Sequence, residues 1–505
     1  MIVDKMSILH YDLCVIGGGI NGAGIARDAA GRGLSVILVE ADDLAGATSS
    51  ASSKLIHGGL RYLENYKFKM VRESLKERET LLNIAPHLVH PAKCIFLQDE
   101  NQRPVWLTRL GLWLYDRLGG KSSLPKSKAV EFNNDDYSRP LLESIKNAVI
   151  YSDCRVDDTR LVILNAVDAD ARDAKILTHT TCEHLSVCKG RWSVNLRDTR
   201  NDDVLAISAS MVVNASGPWV SQFLKNIGIG EDDPDLPNVR LVKGSHIILP
   251  RQYEGDHIYV LQQSDKRIVF VAPYQDDYTL VGTTEEDYEG NPRDAVISDK
   301  EMAYLCEAVN LTFSKTILPS DALFTFSGVR PLLDDGTDNA SKITREYMIY
   351  HHKRFDPPLL SVFGGKLTTY RILSEAVVDK LMNLSGRNAA RWSANEPLAG
   401  GDFGGKSFDE FLCSQKRLYP WIPADLIYRY VCSYGDRMDY FLCGTKKISD
   451  LGIHYGDNIF NAEINYLVKY EWVSGVEDII WRRSKLGLHI SEETMRNIEA
   501  ALNVK

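Results

Sequence analysis

A multidomain α/β fold is predicted, and three patterns in the chain predict it. A strand, glycine turn, helix and second strand follow one another between Tyr11 and Glu40. Short polar–apolar alternations fill much of residues 176–284, and a glycine cluster at 399–405 marks a hinge before the last hundred or so residues. At roughly 150 residues per domain, 505 residues make about three domains. A composition 44% hydrophobic and 25% charged is that of a globular protein. The net charge of −9 argues against broad nucleic-acid binding, which needs a basic face, but leaves room for a basic pocket. No apolar run approaches the roughly 18 residues that span a bilayer, and the start, MIVDKMSILHYDL, lacks the pattern of a secretory signal. Nine cysteines without a CxxC pair fit neither a disulfide framework nor a structural zinc site, so no metal is expected and a reducing compartment is.

Tyr11–Ile16 is a short apolar run that stops at Gly17-Gly18-Gly19-Ile20-Asn21-Gly22. The Ala-rich stretch 23–33 follows as a helix, and Leu34–Val39 as a second strand ending at Glu40. This is the Rossmann-type order for a dinucleotide. Gly17 permits the turn, Gly19 lets the backbone approach a pyrophosphate, and Gly22 lets helix and strand pack closely; all three are expected near the phosphates. The helix N-terminus faces them, and Glu40 is placed for ribose hydroxyls, which disfavours a 2′-phosphate.

Residues 44–62, LAGATSSASSKLIHGGLRY, carry a run of small hydroxyl side chains after the second strand. Such a run is either a flexible linker or a surface for a flat, polar ring system. Residues 65–87 have helical spacing at Phe68, Val71, Leu75 and Leu82. Residues 103–117, RPVWLTRLGLWLYDR, form an apolar segment of helical length with two tryptophans and scattered arginines. It reads as a buried helix or as one lying in a membrane surface. Residues 176–213 suggest antiparallel strands returning to the nucleotide domain, and 240–284 a further sheet forming a wall over the cofactor.

The segments GGGINGAGIARDAAGRGLSVILVE and TSSASSKLIHGGLRYLE resemble the aerobic, respiratory branch of the FAD-dependent glycerol-3-phosphate dehydrogenases, in the D-amino-acid-oxidase-like flavoprotein superfamily. Later segments agree in order: Tyr151–Cys154 with Val156–Asp158, Val213–Trp219, Lys243–His246, Ser327–Pro331 and Ser361–Arg371. The resemblance implies a Rossmann-like FAD-binding domain (11–75, 150–235 and 325–390), an antiparallel-sheet substrate or cap domain (76–149 and 236–324) and a helical C-terminal domain (391–505). It implies oxidation of sn-glycerol 3-phosphate to dihydroxyacetone phosphate, by hydride transfer to FAD N5, with electrons passed to a membrane quinone. The protein is then cytoplasmic and peripheral on the inner face of the membrane. A homodimer is compatible with this, though no sequence feature demands it.

That chemistry needs the carbinol carbon over the flavin, a proton acceptor for the hydroxyl and a cationic clamp for the phosphate. Alone, each basic residue in a glycine-rich motif reads first as a solvated surface charge. The resemblance assigns Arg345 and Lys366, helped by Arg61, to the phosphate and nearby hydroxyls, and Arg330 to the reacting carbon. Tyr62 is a pocket wall. His246 is the first choice of base and His57, beside the flavin stretch, the second. Thr48, Ser49, Ser50 and Ser53 are expected at the isoalloxazine or ribityl region, with Gly217 and Thr368 approaching from later segments. Rival readings are a peroxide-forming oxidase of the same substrate, an amine oxidase of the superfamily, and a non-catalytic flavin-binding redox sensor.

Overall fold

The computed structural model describes residues 9–64, 66–98, 105–133, 135–229, 233–334, 336 and 345–503, without the side chains of residues 61, 64, 98 and 105–107. β1 (Leu9–Ile16), α1 (Ile20–Gly31) and β2 (Val36–Val39) form the expected opening unit. Leu13–Val15 and Val36–Leu38 are wholly buried, the continuous apolar character of strands covered on both faces. β1 pairs in parallel with β2 and, on its other side, with Val204–Asn214. Leu359–Phe363 follows in parallel, and Met348–His351 makes an antiparallel edge. The returning antiparallel strands are Thr180–Cys188 and Arg191–Asp198.

The alanines of α1 have a packing reason. Ala23, Ala26 and Ala29 are fully buried, and helices Asp158–Asp170 and Tyr370–Leu384 lie against them. At Gly24 a Cβ would stand 2.5 Å from Ser374 Oγ and 2.7 Å from the Tyr370 ring, so the close helix approach excludes any side chain there.

The second sheet is built on Val239–Pro250, which pairs antiparallel with Tyr278–Gly282 on one side and with Phe324–Leu333 on the other. It continues through Ile268–Tyr274, Ile258–Gln262, Val89–Gln98 and Asn147–Val156. Two expected boundaries therefore shift. Residues 150–156 and 325–333, assigned above to the FAD-binding domain, belong to this sheet. The motif Ser327–Pro331 does face the cofactor side, but it does so from the opposite wall, and nearness to a ligand does not reveal which sheet carries a strand. The helix Phe68–Ile84 also runs without a break through the expected boundary at 75/76.

The helix Val105–Leu118 is divided between the two readings of its sequence. Leu112 and Tyr115 are buried, with the Tyr115 hydroxyl donating to Asp153 at 2.7 Å, whereas Leu110 and Trp113 are 52% and 51% exposed.

The C-terminal residues form helices Phe408–Leu418, Ala424–Tyr434, Asn461–Tyr470 and Glu492–Asn503 around a core containing Tyr430, Tyr434 and Phe441. They dock on the first domain through Arg160, which pairs with Glu471 (Nη2 to Oε1, 2.9 Å) with neither side chain exposed. Removing one member strands a buried charge. Glu471→Ala is expected to lower stability by about 3–5 kcal/mol in urea denaturation followed by tryptophan fluorescence.

Candidate active site

Between the two sheets lies a cavity of about 550 Å³ that runs from the glycine turn to the second sheet. At one end Gly17 adopts φ +109°, and a Cβ there would meet the Ala215 carbonyl oxygen at 2.5 Å. Gly19 lies on the cavity wall as the N-cap of α1, with only Ser49 Oγ near the position of a Cβ. Gly22 does not line the cavity: a Cβ there would stand 1.8 Å from Gly17 O, so its role is to seat α1 against the turn. Glu40 lies on the wall and accepts from the backbone N–H groups of Gly18 (2.6 Å) and Asp42 (2.9 Å). Burial pushes its carboxyl pKa up, against those two hydrogen bonds, which favour the ionised form.

The hydroxyl-rich stretch follows this end. Thr48, Ser49 and Ser53 line the cavity. Thr48 donates to Val329 O (2.6 Å), tying the stretch to the second sheet, and Ser49 Oγ accepts from Ile20 N (3.0 Å). Ser50 is a correction: it is absent from the wall because its hydroxyl turns back to Ala47 O (2.8 Å) and closes its own turn. Gly217, at φ +57°, and Thr368 both line the cavity. Thr368 Oγ1 also accepts from His57 N at 3.3 Å.

The far end is cationic. Arg330 stands on Phe324–Leu333 and donates from Nη2 to Thr283 Oγ1 (3.3 Å); its Nη1 is buried with no hydrogen-bond partner among the described residues. Lys366 Nζ lies 3.8 Å from the centre of the Tyr62 ring and is likewise buried without a hydrogen-bond partner there. Burial pushes the pKa of both cations down. Arg345 pairs with Glu285. Tyr62 sits among all three. Burial alone would raise its phenol pKa, but Arg345, Lys366 and Arg330 together bring it below its ordinary value. Arg61 begins the short helix Arg61–Glu64, and its side chain lies outside the described set.

The two histidines change rank. His246 is fully buried and off the cavity wall, stacked on Phe326 (4.8 Å between ring centres), and it reaches the cavity only through Ser53 Oγ at 2.9 Å. His246 shares a face of its sheet with Gly244, Gly328 and Arg330, but its ring meets Ser53 of the hydroxyl-rich turn instead of the cavity, something the motif Lys243–His246 does not disclose. His57 lines the cavity. Burial, followed by Lys366 and Arg345, lowers its pKa to about 4, so it is a neutral imidazole near pH 7 and a weak base beside those cations.

Other wall residues were not anticipated. Trp219 and Arg293 cover the dinucleotide end, where Arg293 pairs with Asp42 at 2.6 Å and Trp219 Nε1 donates to Asn291 Oδ1 at 3.3 Å. Trp219 ends a motif already noticed, but Arg293 sits in an unremarked polar loop.

The wall fits FAD. A glycine turn and helix N-terminus suit a pyrophosphate, Glu40 suits a ribose, and buried cationic nitrogens without hydrogen-bond partners among the described residues, Arg330 Nη1 and Lys366 Nζ, are left for an anionic ligand. A family model described as FAD dependent oxidoreductase (DAO) matches residues 12–371. The chain is 47% identical to the glycerol-3-phosphate dehydrogenase of Pseudomonas aeruginosa, over 95% of this chain and 93% of the relative. It is 44% identical to the D-erythritol 1-phosphate dehydrogenase of Brucella abortus, over 95% of each. The glycerol-3-phosphate dehydrogenase of Bacillus halodurans, solved with FAD, superposes with a TM-score of 0.77 at 26% identity, over 99% of this chain and 92% of that one. With the family match spanning most of the chain and the dinucleotide wall in place, this protein belongs to the FAD-dependent oxidoreductases of the DAO family.

Proposed function

We propose that the chain oxidises sn-glycerol 3-phosphate to dihydroxyacetone phosphate and passes the electrons to a membrane quinone. The observation that carries this reading is the set of three cations, Arg330, Arg345 and Lys366, around Tyr62 on the cavity wall. A phosphomonoester carries nearly two negative charges near neutral pH, and buried, unpartnered N–H groups are strong donors to it. Lys366 and Arg345 hold the phosphate, Arg330 stabilises charge developing on the carbinol oxygen, and neutral His57 accepts the hydroxyl proton. When bound, FAD supplies a two-electron acceptor for the carbinol hydrogen. The names of the relatives support a polyol phosphate as substrate. D-erythritol 1-phosphate is the second reading, favoured by the name of a relative about as similar as the glycerol-3-phosphate enzymes. Both bear one phosphate on a polyol, so the clamp serves either.

No helix among the described residues is long and apolar enough to cross a membrane. The exposed Leu110 and Trp113, with Arg117 stacked on Trp113 at 4.0 Å, support a peripheral contact with lipid. Tyr66 and Phe68 add exposed aromatic surface at the start of the neighbouring helix.

Anaerobic mixing with glycerol 3-phosphate is expected to bleach the flavin band near about 450 nm, a property of the cofactor itself. Unchanged absorbance sinks the substrate assignment, and bleaching only by D-erythritol 1-phosphate selects the second reading. Slow reoxidation in air with fast reoxidation by quinone fits the acceptor; rapid peroxide release identifies an oxidase. Arg330→Ala is expected to lower turnover at least ~100-fold while keeping bound FAD. Gly19→Val, whose side chain would fill the space in front of the α1 N-terminus, is expected to lose FAD altogether. In co-sedimentation with anionic vesicles, Leu110→Glu with Trp113→Glu should release the protein into the supernatant without changing flavin content.

A further inference from the structure

Among the described residues, none of the C-terminal domain lines the cavity, yet a single segment of it, residues 478–488, is anchored behind two parts of the cavity wall. Asp478–Arg483 is a π-helical turn, a form frequent at functional sites. From it Arg483 makes a bidentate pair with Asp43, Nη1 to Oδ2 at 2.6 Å and Nη2 to Oδ1 at 2.8 Å, and Arg482 joins the same carboxylate. Asp43 is buried and adjoins Asp42, which lines the dinucleotide end beside Glu40. Trp481 stacks on Phe324 (4.6 Å, 16°), at the start of the strand that carries Arg330.

Lys485 reaches the hydroxyl-rich turn. Its Nζ lies 2.7 Å from Asp158 Oδ1 and 2.9 Å from Asp157 Oδ1. The second oxygen of Asp158 accepts from Ser52 Oγ (2.7 Å) and Lys54 Nζ (2.8 Å), and Lys54 Nζ also donates to Ser50 O (2.9 Å). Ser52 and Ser53 line the cavity. Lys54 stands at φ +57°, a left-handed conformation that persists in a non-glycine residue only where its surroundings enforce it. The Lys485 carbonyl accepts from Gln275 Nε2 (2.5 Å) and the Leu488 carbonyl from the Tyr278 hydroxyl (2.8 Å), joining the segment to the second sheet. Two lysines and two aspartates balance here. Without Lys485, two carboxylates share one ammonium, and the turn bearing Ser52 and Ser53 loses its counterweight.

We propose that segment 478–488 is a clasp that positions the FAD cavity from outside, with Arg483 the positioning residue behind the dinucleotide end and Lys485 behind the hydroxyl-rich turn. The C-terminal domain thereby sets cofactor affinity and geometry without touching the cofactor.

The test uses the full chain with FAD and no substrate, so its failure is separate from a failure of the proposed reaction. FAD dissociation constants and visible flavin spectra are measured for Lys485→Met, Lys485→Arg and Trp481→Leu. Glu463→Gln, which breaks a buried pair with Arg429 inside the C-terminal domain, is the control for general destabilisation. Lys485→Met and Trp481→Leu are expected to weaken FAD binding by at least ~10-fold and to shift the flavin band, with Lys485→Arg restoring both. Glu463→Gln should lower the melting temperature and leave both unchanged. FAD affinities within about twofold of the parent for Lys485→Met and Trp481→Leu overturn the proposal. So does a loss for Glu463→Gln as large as theirs. If Lys485→Met gives no folded protein, Trp481→Leu decides on the same criterion.

Discussion

The feature on which the rest depends is a group of like charges kept out of water. Arg330 and Lys366 each hold a buried nitrogen that bonds to no described residue, beside Arg345, in a protein whose overall charge is negative. Such an arrangement opposes folding, because desolvation and mutual repulsion both disfavour it. It persists because each charge is carried by an element fixed for other reasons. Arg330 lies on a strand paired along ten residues with its neighbour, and Lys366 lies between a wholly buried strand and the helix Tyr370–Leu384, whose first turns are largely buried. The Tyr62 ring supplies part of the compensation through its face, which attracts Lys366. On the proposed function a bound anion supplies the remainder, which links the stability of this wall to its occupancy.

The opening β1–α1–β2 unit was legible because its signals are local and redundant: buried apolar strands, a glycine at a positive φ, an acid at the end of β2. The cations were legible through short motifs rather than through periodicity. What escaped depends on orientation and on contacts distant in the chain. In sequence His246 is the first choice and His57 the second; contacts distant in the chain, Ser53 at the His246 Nε2 and Phe326 stacked on its ring, keep the first off the cavity wall. Ser50 differs from its neighbours by one rotation of a tight turn. Strand Phe324–Leu333 is defined by pairing with residues more than 70 positions away, which no local pattern encodes.

Buried charge pairs join the domains. Arg160 with Glu471, and Asp43 with Arg482 and Arg483, are buried pairs between the opening domain and the C-terminal helices. Such pairs add little net stability over apolar packing but tolerate no shift in register, since a displaced partner leaves a charge stranded. They favour one docking geometry over near neighbours, which suits a cavity whose walls come from separate sheets.

The pair between Arg345 and Glu285 has a consequence for molecular discrimination. A guest reaching Arg345 exchanges one counterion for another, so its gain is a difference between two attractions. On the proposed function, a monocarboxylate trades like for like there, whereas a doubly ionised ester brings the larger charge to the exchange. On that reading, Glu285 is thus the resident counterion that an arriving anion has to displace from Arg345.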